Sequence, residues 1–362
     1  MIVAIGGPLA LLLAYLLLWP VPIEPVAWNA PADAGLVDPF EPNDRLRRTR
    51  LVDLAPHEGP EDIAAGPDGL VYTGTSDGKI LRMQSNGGGL DVFADVGGRP
   101  LGLEFDGAGN LLVANATVGL QQVSPDGAVR LLTNSVDGQP ILYADDVAVG
   151  ANGQVYFSDA STRFNPAEFA GTANAARLDI MEHSGNGRVL RFDPGTGATT
   201  VVLDGLDFAN GVAISDDQRF LVIAETGSYR LLRHWLDGPD AGQTEVLLDN
   251  LPGLPDNVNN GLNGRFWVGL VVRRNSQLDA MSDRPWLRKL VLRLPPALQP
   301  VIDPPAHVFS INGDGEVLMD LQDTAPGLSA LTGACETADV LWLSSLFGNQ
   351  LGRLDKRELA NP

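Results

Sequence analysis

ADDVAVGANGQVYFSD, residues 144–159, opens with adjacent acids at Asp145 and Asp146. A short apolar alternation follows (Val147, Ala148, Val149), then a turn at Asn152-Gly153 and a second apolar strand. A period of two marks strands, and Asn-Gly marks the turn between them. Acids are poor strand formers and costly to bury unpaired. Whether the pattern recurs decides what a strand beginning with two of them means.

It recurs along the chain. The copies are EDIAAGPDG from Glu61, LGLEFDGAG from Leu101, DDVAVGANG from Asp145, NGVAISDDQ from Asn210, DNVNNGLNG from Asp256 and a looser LTGACETAD from Leu331. After each comes a second apolar strand, such as LVYTGTSDG, QVYFSDAST or RFWVGLVVR. A third often follows: KILRM, RVLRF, RLLRHWL, LRKLVLRL (Leu287 to Leu294) and LGRLD. A weak helical period lies near Ala167 to Met181, inside the largest insertion, Arg163 to Gly187. Six unequally spaced strand-turn-strand-turn-strand units predict an all-β six-bladed β-propeller, one small antiparallel sheet per copy.

In such a fold the innermost strands run along a central channel, so equivalent positions form a ring. The first residues of the copies are Glu61, Leu101, Asp145, Asn210, Asp256 and Leu331. Three carboxylates meeting at one channel mouth repel unless protonated or neutralised. A divalent cation is the simplest neutraliser, and hard oxygen donors suit Ca²⁺ while tolerating Mg²⁺ or Mn²⁺. No His or Cys enters the ring, which argues against zinc. Asp62, Asp146 and Asn257 follow Glu61, Asp145 and Asp256 by one place. Strand neighbours face opposite sides, so both sets serve one ion only if the backbone bends. A second ion deeper in the channel would involve Asp62 and Asp146.

The chain has 362 residues, with 25 Lys+Arg against 45 Asp+Glu and a net charge of -20, which argues against a nucleic-acid partner. The single Cys335 excludes an intrachain disulfide and a Cys-rich zinc site. There is no nucleophile elbow and no strand-Gly-rich-helix phosphate loop. His57, His183, His234 and His307 fall outside the ring register, and Arg273, Arg274 and Arg288, which flank an apolar strand, read as solvated loop charges, guidance of an anionic substrate being the alternative. Residues 1–23 carry no charged side chain and are long enough to cross a bilayer. They predict a transmembrane or signal anchor with an exported propeller, a cleaved signal peptide being the rival. Residues 24–50 read as a Pro-rich linker and 51–357 as the propeller.

GPEDIAAGPDGLVYTGTSDGKILRM, GRPLGLEFD, FANGVAIS, IAETGSYRLLRHWLDGPDAG, NLPGLPDNV and FWVGLVVRR together resemble the strictosidine synthase-like family over nearly all of residues 51 to 355. The resemblance implies a six-bladed propeller within a wider group that includes paraoxonases and gluconolactonases, metal-dependent hydrolases of lactones and esters. The anchor-plus-propeller layout is also similar to adipocyte plasma membrane-associated protein, a member with arylesterase-type activity. On this resemblance the catalytic metal set falls on Glu61, Asp145, Asn210, Asp256 and Asn257, with Glu61 or Asp145 assisting the attacking water. Asp62 and Asp146 fall on structural-calcium positions. Relatives commonly place Asn at Asp145, and paraoxonases place a proposed histidine base at Leu101, which cannot move a proton. The alternatives are a metal-independent amine-aldehyde condensing enzyme, for which Glu336 is the nearest glutamate, and a non-catalytic membrane-tethered binding propeller. The expected partner is a small ester or lactone, with the membrane reached through the N-terminal helix.

Overall fold

The computed structural model describes residues 3–325 and 327–359. Six four-stranded antiparallel sheets follow in chain order. Blade I begins at Ile63–Ala65, blade II at Pro100–Phe105, blade III at Ala144–Val149, blade IV at Ala209–Ile214, blade V at Gly253–Asn260 and blade VI at Leu331–Glu336. Each first strand packs against the first strand of the next blade, and blade VI returns to blade I, so the ring closes. The last sheet takes its outermost strand from the other end of the chain: Arg50–Asp53 pairs antiparallel with Gln350–Asp355.

Strand chemistry follows blade depth. Second strands such as Leu111–Asn115, Phe220–Glu225 and Val340–Ser345 are buried at every residue, because a neighbouring blade covers each face. Fourth strands such as Val129–Thr133 and Thr244–Leu248 are largely exposed and mixed in polarity. Hence three strands per copy stood out in the sequence and the fourth did not.

The inner strands share a local distortion that sets the site. In blades II to VI the pairing register slips across two residues near the start of the strand: Leu101-Gly102, Asp145-Asp146, Asn210-Gly211, Asp256-Asn257 and Thr332-Gly333. Glu61-Asp62 sit just ahead of the first strand of blade I. Such bulges bend a strand and re-aim its side chains. The register corrects the sixth copy by one place: Thr332, not Leu331, stands in the ring, and TGACETADV is the segment that matches NGVAISDDQ. The second residue of each pair alternates around the axis, as Asp62, Gly102, Asp146, Gly211, Asn257 and Gly333. A Cβ added at Gly102 would lie 2.5 Å from the Cα of Asp146, and Gly211 and Gly333 are pressed as closely by blade V. Side chains from three blades fill the axis because the other three contribute none.

Two insertions cover the mouth. One carries the helix Thr172–Glu182 in blade III. The other separates the second and third strands of blade V and contains the helix Pro285–Arg293. This corrects the strand expected over Leu287 to Leu294. Pro285 starts a helix there, and the third strand of blade V is Ala306–Ile311. Apolar residues at 287, 291 and 294 fit a helical period while those at 290, 292 and 294 alternate, so periodicity alone did not separate the two.

The N-terminal helix is Val3–Leu18, 16 residues. Among the described residues no helix is long and apolar enough to cross a membrane, so the predicted span is not shown; its first two residues lie outside the described ones. Residues 19–49 then run without helix or strand past the lid helices and on to the outermost strand of blade V, Val317–Asp323, where the Leu46 amide donates to the Gln322 carbonyl at 2.9 Å. Ile23 is buried, the Val26 amide donates to the Glu182 carbonyl (2.8 Å), and Trp28 stacks on His183 (3.9 Å between ring centres). Arg288 is buried and donates to the Met181 and Ser282 carbonyls, and Arg274 pairs with Asp279 at 2.7 Å. Neither is a solvated loop charge.

Candidate active site

The bulges of blades III, IV and V and the approach to the first strand of blade I bring Asp145, Asn210, Asp256 and Glu61 to the buried end of one cavity of about 290 Å³. Their residual exposures are 2%, 3%, 4% and 5%, and Asn257 beside them has 0%. The rest of the lining is mainly apolar and comes from the two lid insertions and the blade V strand Phe266–Arg273. Leu101 lines the same space.

Hydrogen bonding at this end is incomplete. Oε2 of Glu61, Oδ2 of Asp145, Oδ1 of Asn210 and Oδ1 of Asn257 are buried without a partner. Asn210 Nδ2 donates to Asp256 Oδ1, and Asn257 Nδ2 donates to the Glu61 carbonyl at 3.1 Å. Buried polar atoms are normally paired, so four orphaned oxygens in one place need an explanation. Burial, reinforced by repulsion from Asp256, Asp145 and Asp62, pushes the Glu61 carboxyl well above its usual range. Burial and Asp256 do the same to Asp145, and burial pushes Asp256 up to about 7. Among the described residues no three His, Cys, Asp or Glu side chains are already gathered in ligating geometry. The donor set is nevertheless right for a hard divalent cation: three carboxylates and two amides, all oxygen, four of the oxygens unspent.

The second residues of the bulges have other partners. Asp62 Oδ2 accepts from the Leu103 amide of blade II at 2.8 Å, and Oδ1 from Asn259 Nδ2 of blade V at 2.9 Å. Asp146 Oδ2 accepts from the Val212 amide of blade IV at 2.8 Å, and Oδ1 from Val147 at 2.7 Å. Both carboxylates thus tie blades together, and every oxygen has a donor. Thr332 donates to the Glu61 carbonyl, which adds a tie between blades VI and I.

Glu336 does not join the cavity. It sits four residues further along the inner strand than Thr332, roughly 13 Å at strand rise. It accepts from Trp267 Nε1 (2.9 Å), the Leu262 amide (3.0 Å) and Lys356 Nζ (2.6 Å). Burial pushes its carboxyl up, but these donors outweigh that and hold it below its ordinary value. The histidines have structural partners: His57 meets Asp77, His183 meets Asp207, His234 meets Thr244 and His307 meets Asp320. The sequence reading missed Tyr143, which lines the cavity beside Asp145 and packs edge-on against Phe208 at 5.4 Å. Burial, with Asp145, Asp256 and Glu61 nearby, holds its hydroxyl in the protonated form. Its place two residues before Asp145 was the available signal.

Comparison with known proteins agrees with this architecture. Residues 145–239 match the strictosidine synthase family, and residues 38–83 match its strictosidine synthase-like N-terminal family. Protein Strictosidine synthase-like 10 of Arabidopsis thaliana is 34% identical over 359 residues, covering 90% of this chain and 94% of its own. The chain belongs to the strictosidine synthase-like family. Another member, Protein Strictosidine synthase-like 13 of the same plant, is 36% identical over 266 residues, 66% of this chain and 64% of its own length. Adipocyte plasma membrane-associated protein of Salmo salar is 35% identical over 317 residues, 81% and 74% of the two chains. Among solved structures, the gluconolactonase XC5397 of Xanthomonas campestris superposes with a TM-score of 0.63 at 18% identity, covering 92% of this chain and 98% of its own. The calcium-binding protein regucalcin of Agrobacterium tumefaciens gives 0.58 at 15% identity, covering 84% and 92%. At such identities these two likenesses concern the fold shared with this strictosidine synthase-like chain.

Proposed function

We propose that this strictosidine synthase-like propeller hydrolyses lactones or esters with the help of a divalent cation, Ca²⁺ first among the candidates. The observation that carries this is the set of orphaned oxygens on Glu61, Asp145 and Asn210 at the buried end of a mainly apolar cavity, with that of Asn257 next to Asp256. Glu61, Asp145, Asn210, Asp256 and Asn257 would hold the ion. When bound, such an ion supplies positive charge that polarises a carbonyl and steadies a developing oxyanion. The residues of the chain do the rest. The apolar lining excludes bulk water and orients the acyl or ring part of the substrate. Glu61 and Asp145 are the carboxylates that would take a proton from the attacking water. Tyr143 offers a neutral O–H donor beside them, and Leu101 contributes no proton chemistry. The gluconolactonase and the calcium-binding protein that share the fold support the choice of reaction and of cation.

The test is turnover of a neutral aryl ester and a lactone panel before and after chelation, with calcium added back. Chelation should abolish turnover and calcium restore it, and Asn210→Ala should lower it by about a hundredfold or more. Full activity in metal-stripped protein contradicts the proposal. A product formed from an aryl-ethylamine and an aldehyde, insensitive to chelator, would favour the condensing alternative instead.

The same proposal keeps the N-terminal helix as a membrane tether for an exported propeller. Leu11, Leu12, Leu13, Leu17 and Leu18 are exposed on it, an apolar surface that a bilayer would cover. Its 16 residues span about 24 Å, less than the hydrocarbon core of about 30 Å. Flotation with neutral lipid vesicles should carry the full chain and not a variant lacking residues 1–18.

A further inference from the structure

The cavity holds one cationic feature that hydrolysis itself does not use. Helix Thr172–Glu182 contributes Thr172, Ala173, Ala176, Arg177, Ile180 and Met181 to the lining, a single face at spacings of three and four. Four of these are apolar. Arg177 is the one cationic side chain among the described lining residues.

Its partners are few. The guanidinium donates to Gln299 Oε1, and Gln299 is itself fixed by donation from Nε2 to the Leu294 carbonyl at 2.7 Å. Among the described residues no carboxylate forms an ion pair with Arg177, whereas the other lid arginines are engaged. Arg163 pairs with Glu182, Arg273 with Asp303 and Arg274 with Asp279, while Arg288 and Arg293 donate to main-chain carbonyls. Arg177 is part-buried, and loss of water without an acid in compensation pushes its pKa down. A guanidinium carries five N–H donors in a planar fork that matches a carboxylate. Here a fixed amide orients the fork and leaves the remaining donors open. Arg177 and Gln299 also border a second cavity of about 320 Å³, to which Arg293 contributes, so there is room for a substrate's far end beside the fork.

We propose that the substrate carries a carboxylate at the end remote from its ester or lactone carbonyl, and that Arg177 binds this carboxylate as an ion pair. Charge sets the direction of binding. Three carboxylates and one divalent cation still leave the buried end net negative, so the substrate's anion is repelled there and drawn to Arg177. The apolar lining between the two ends suits a hydrocarbon spacer. Arg177 is a specificity residue in this account. It touches substrate but takes no part in bond breaking.

The inference rests on the proposed hydrolysis, and the experiment separates the two. Full-length calcium-loaded protein is assayed with aryl esters of a linear monoacid and of the diacid of the same chain length, in wild type, Arg177→Met and Arg177→Lys. The diacid monoester should be preferred by at least about tenfold, mainly through KM, as expected for a charge-assisted ion pair. Arg177→Met should erase the preference, read as the ratio of kcat/KM for the two esters within each protein, and Arg177→Lys should keep part of it. No preference in wild type, or a preference that survives Arg177→Met, overturns the inference. If neither ester is hydrolysed, the proposed reaction fails while Arg177 is still tested by calorimetry with the diacid monoamide. Binding lost in Arg177→Met supports the site, and equal binding or none overturns it. Tighter binding of an ω-phosphate analogue than of the carboxylate overturns the assignment of the carboxylate.

Discussion

Glu61→Gln should change stability in opposite directions with and without calcium. Glu61 is 2% exposed, its Oε2 has no partner, and Asp145, Asp256 and Asp62 all push against its charge. Gln keeps the shape and removes the repulsion. In chelated protein at pH 8 the substitution should therefore stabilise by about 1–2 kcal/mol, a gain of a few degrees in Tm. With calcium at about a hundred times its Kd, wild type gains about 2.7 kcal/mol from binding. If loss of one charged donor weakens affinity about a hundredfold, the same calcium concentration equals the variant's Kd, and the gain shrinks to about 0.4 kcal/mol. Thermal unfolding of both proteins, each with chelator and with calcium, reads all four values. A variant less stable than wild type in chelator, with an undiminished calcium shift, would show that Glu61 holds the fold and does not hold the ion.

Other consequences are equally direct. Asp62→Ala strips the acceptor from the Leu103 amide and from Asn259, and should cost about 2–4 kcal/mol, read as a lower urea midpoint at unchanged slope. Arg274→Met removes the partner of Asp279 and the donor to the Pro31 carbonyl and Asn250. It should cost about 3–5 kcal/mol and open residues 24–49 to limited proteolysis. Burial pushes Asp179, on the lid helix, up to about 7 from 3.8. The folded chain keeps that proton through a window in which the unfolded chain has released it, so this group makes stability fall as pH rises from about 4 to about 7. Asp179→Asn should flatten that segment of the stability-pH curve, and an unchanged slope would count against the assignment.

The propeller was legible because its second strands are continuous apolar runs, and because turns such as Asn152-Gly153 recur in register with them. Outer strands such as Val129–Thr133 carry no comparable signal, since water covers much of their surface. The closing strand Arg50–Asp53 was invisible for another reason: its partner lies at the far end of the chain, and local pattern holds no trace of such pairing. At the site, the carboxylates stood out because acids at strand starts are anomalous. The alternation of Asp62, Gly102, Asp146, Gly211, Asn257 and Gly333 was present in the same copies. Its meaning depends on how closely neighbouring blades approach, which only three dimensions reveal. Arg288 shows the converse. An arginine next to a lysine reads as a loop charge until the carbonyls that it holds are seen.

The central claim is that oxygens from four blades share one cation. Anomalous scattering from crystals soaked in calcium, or in manganese as its stronger-scattering substitute, tests it most directly. One peak within bonding distance of Glu61, Asp145, Asn210 and Asp256 is the predicted result. A peak elsewhere, or none at this end of the cavity at millimolar metal, would contradict it.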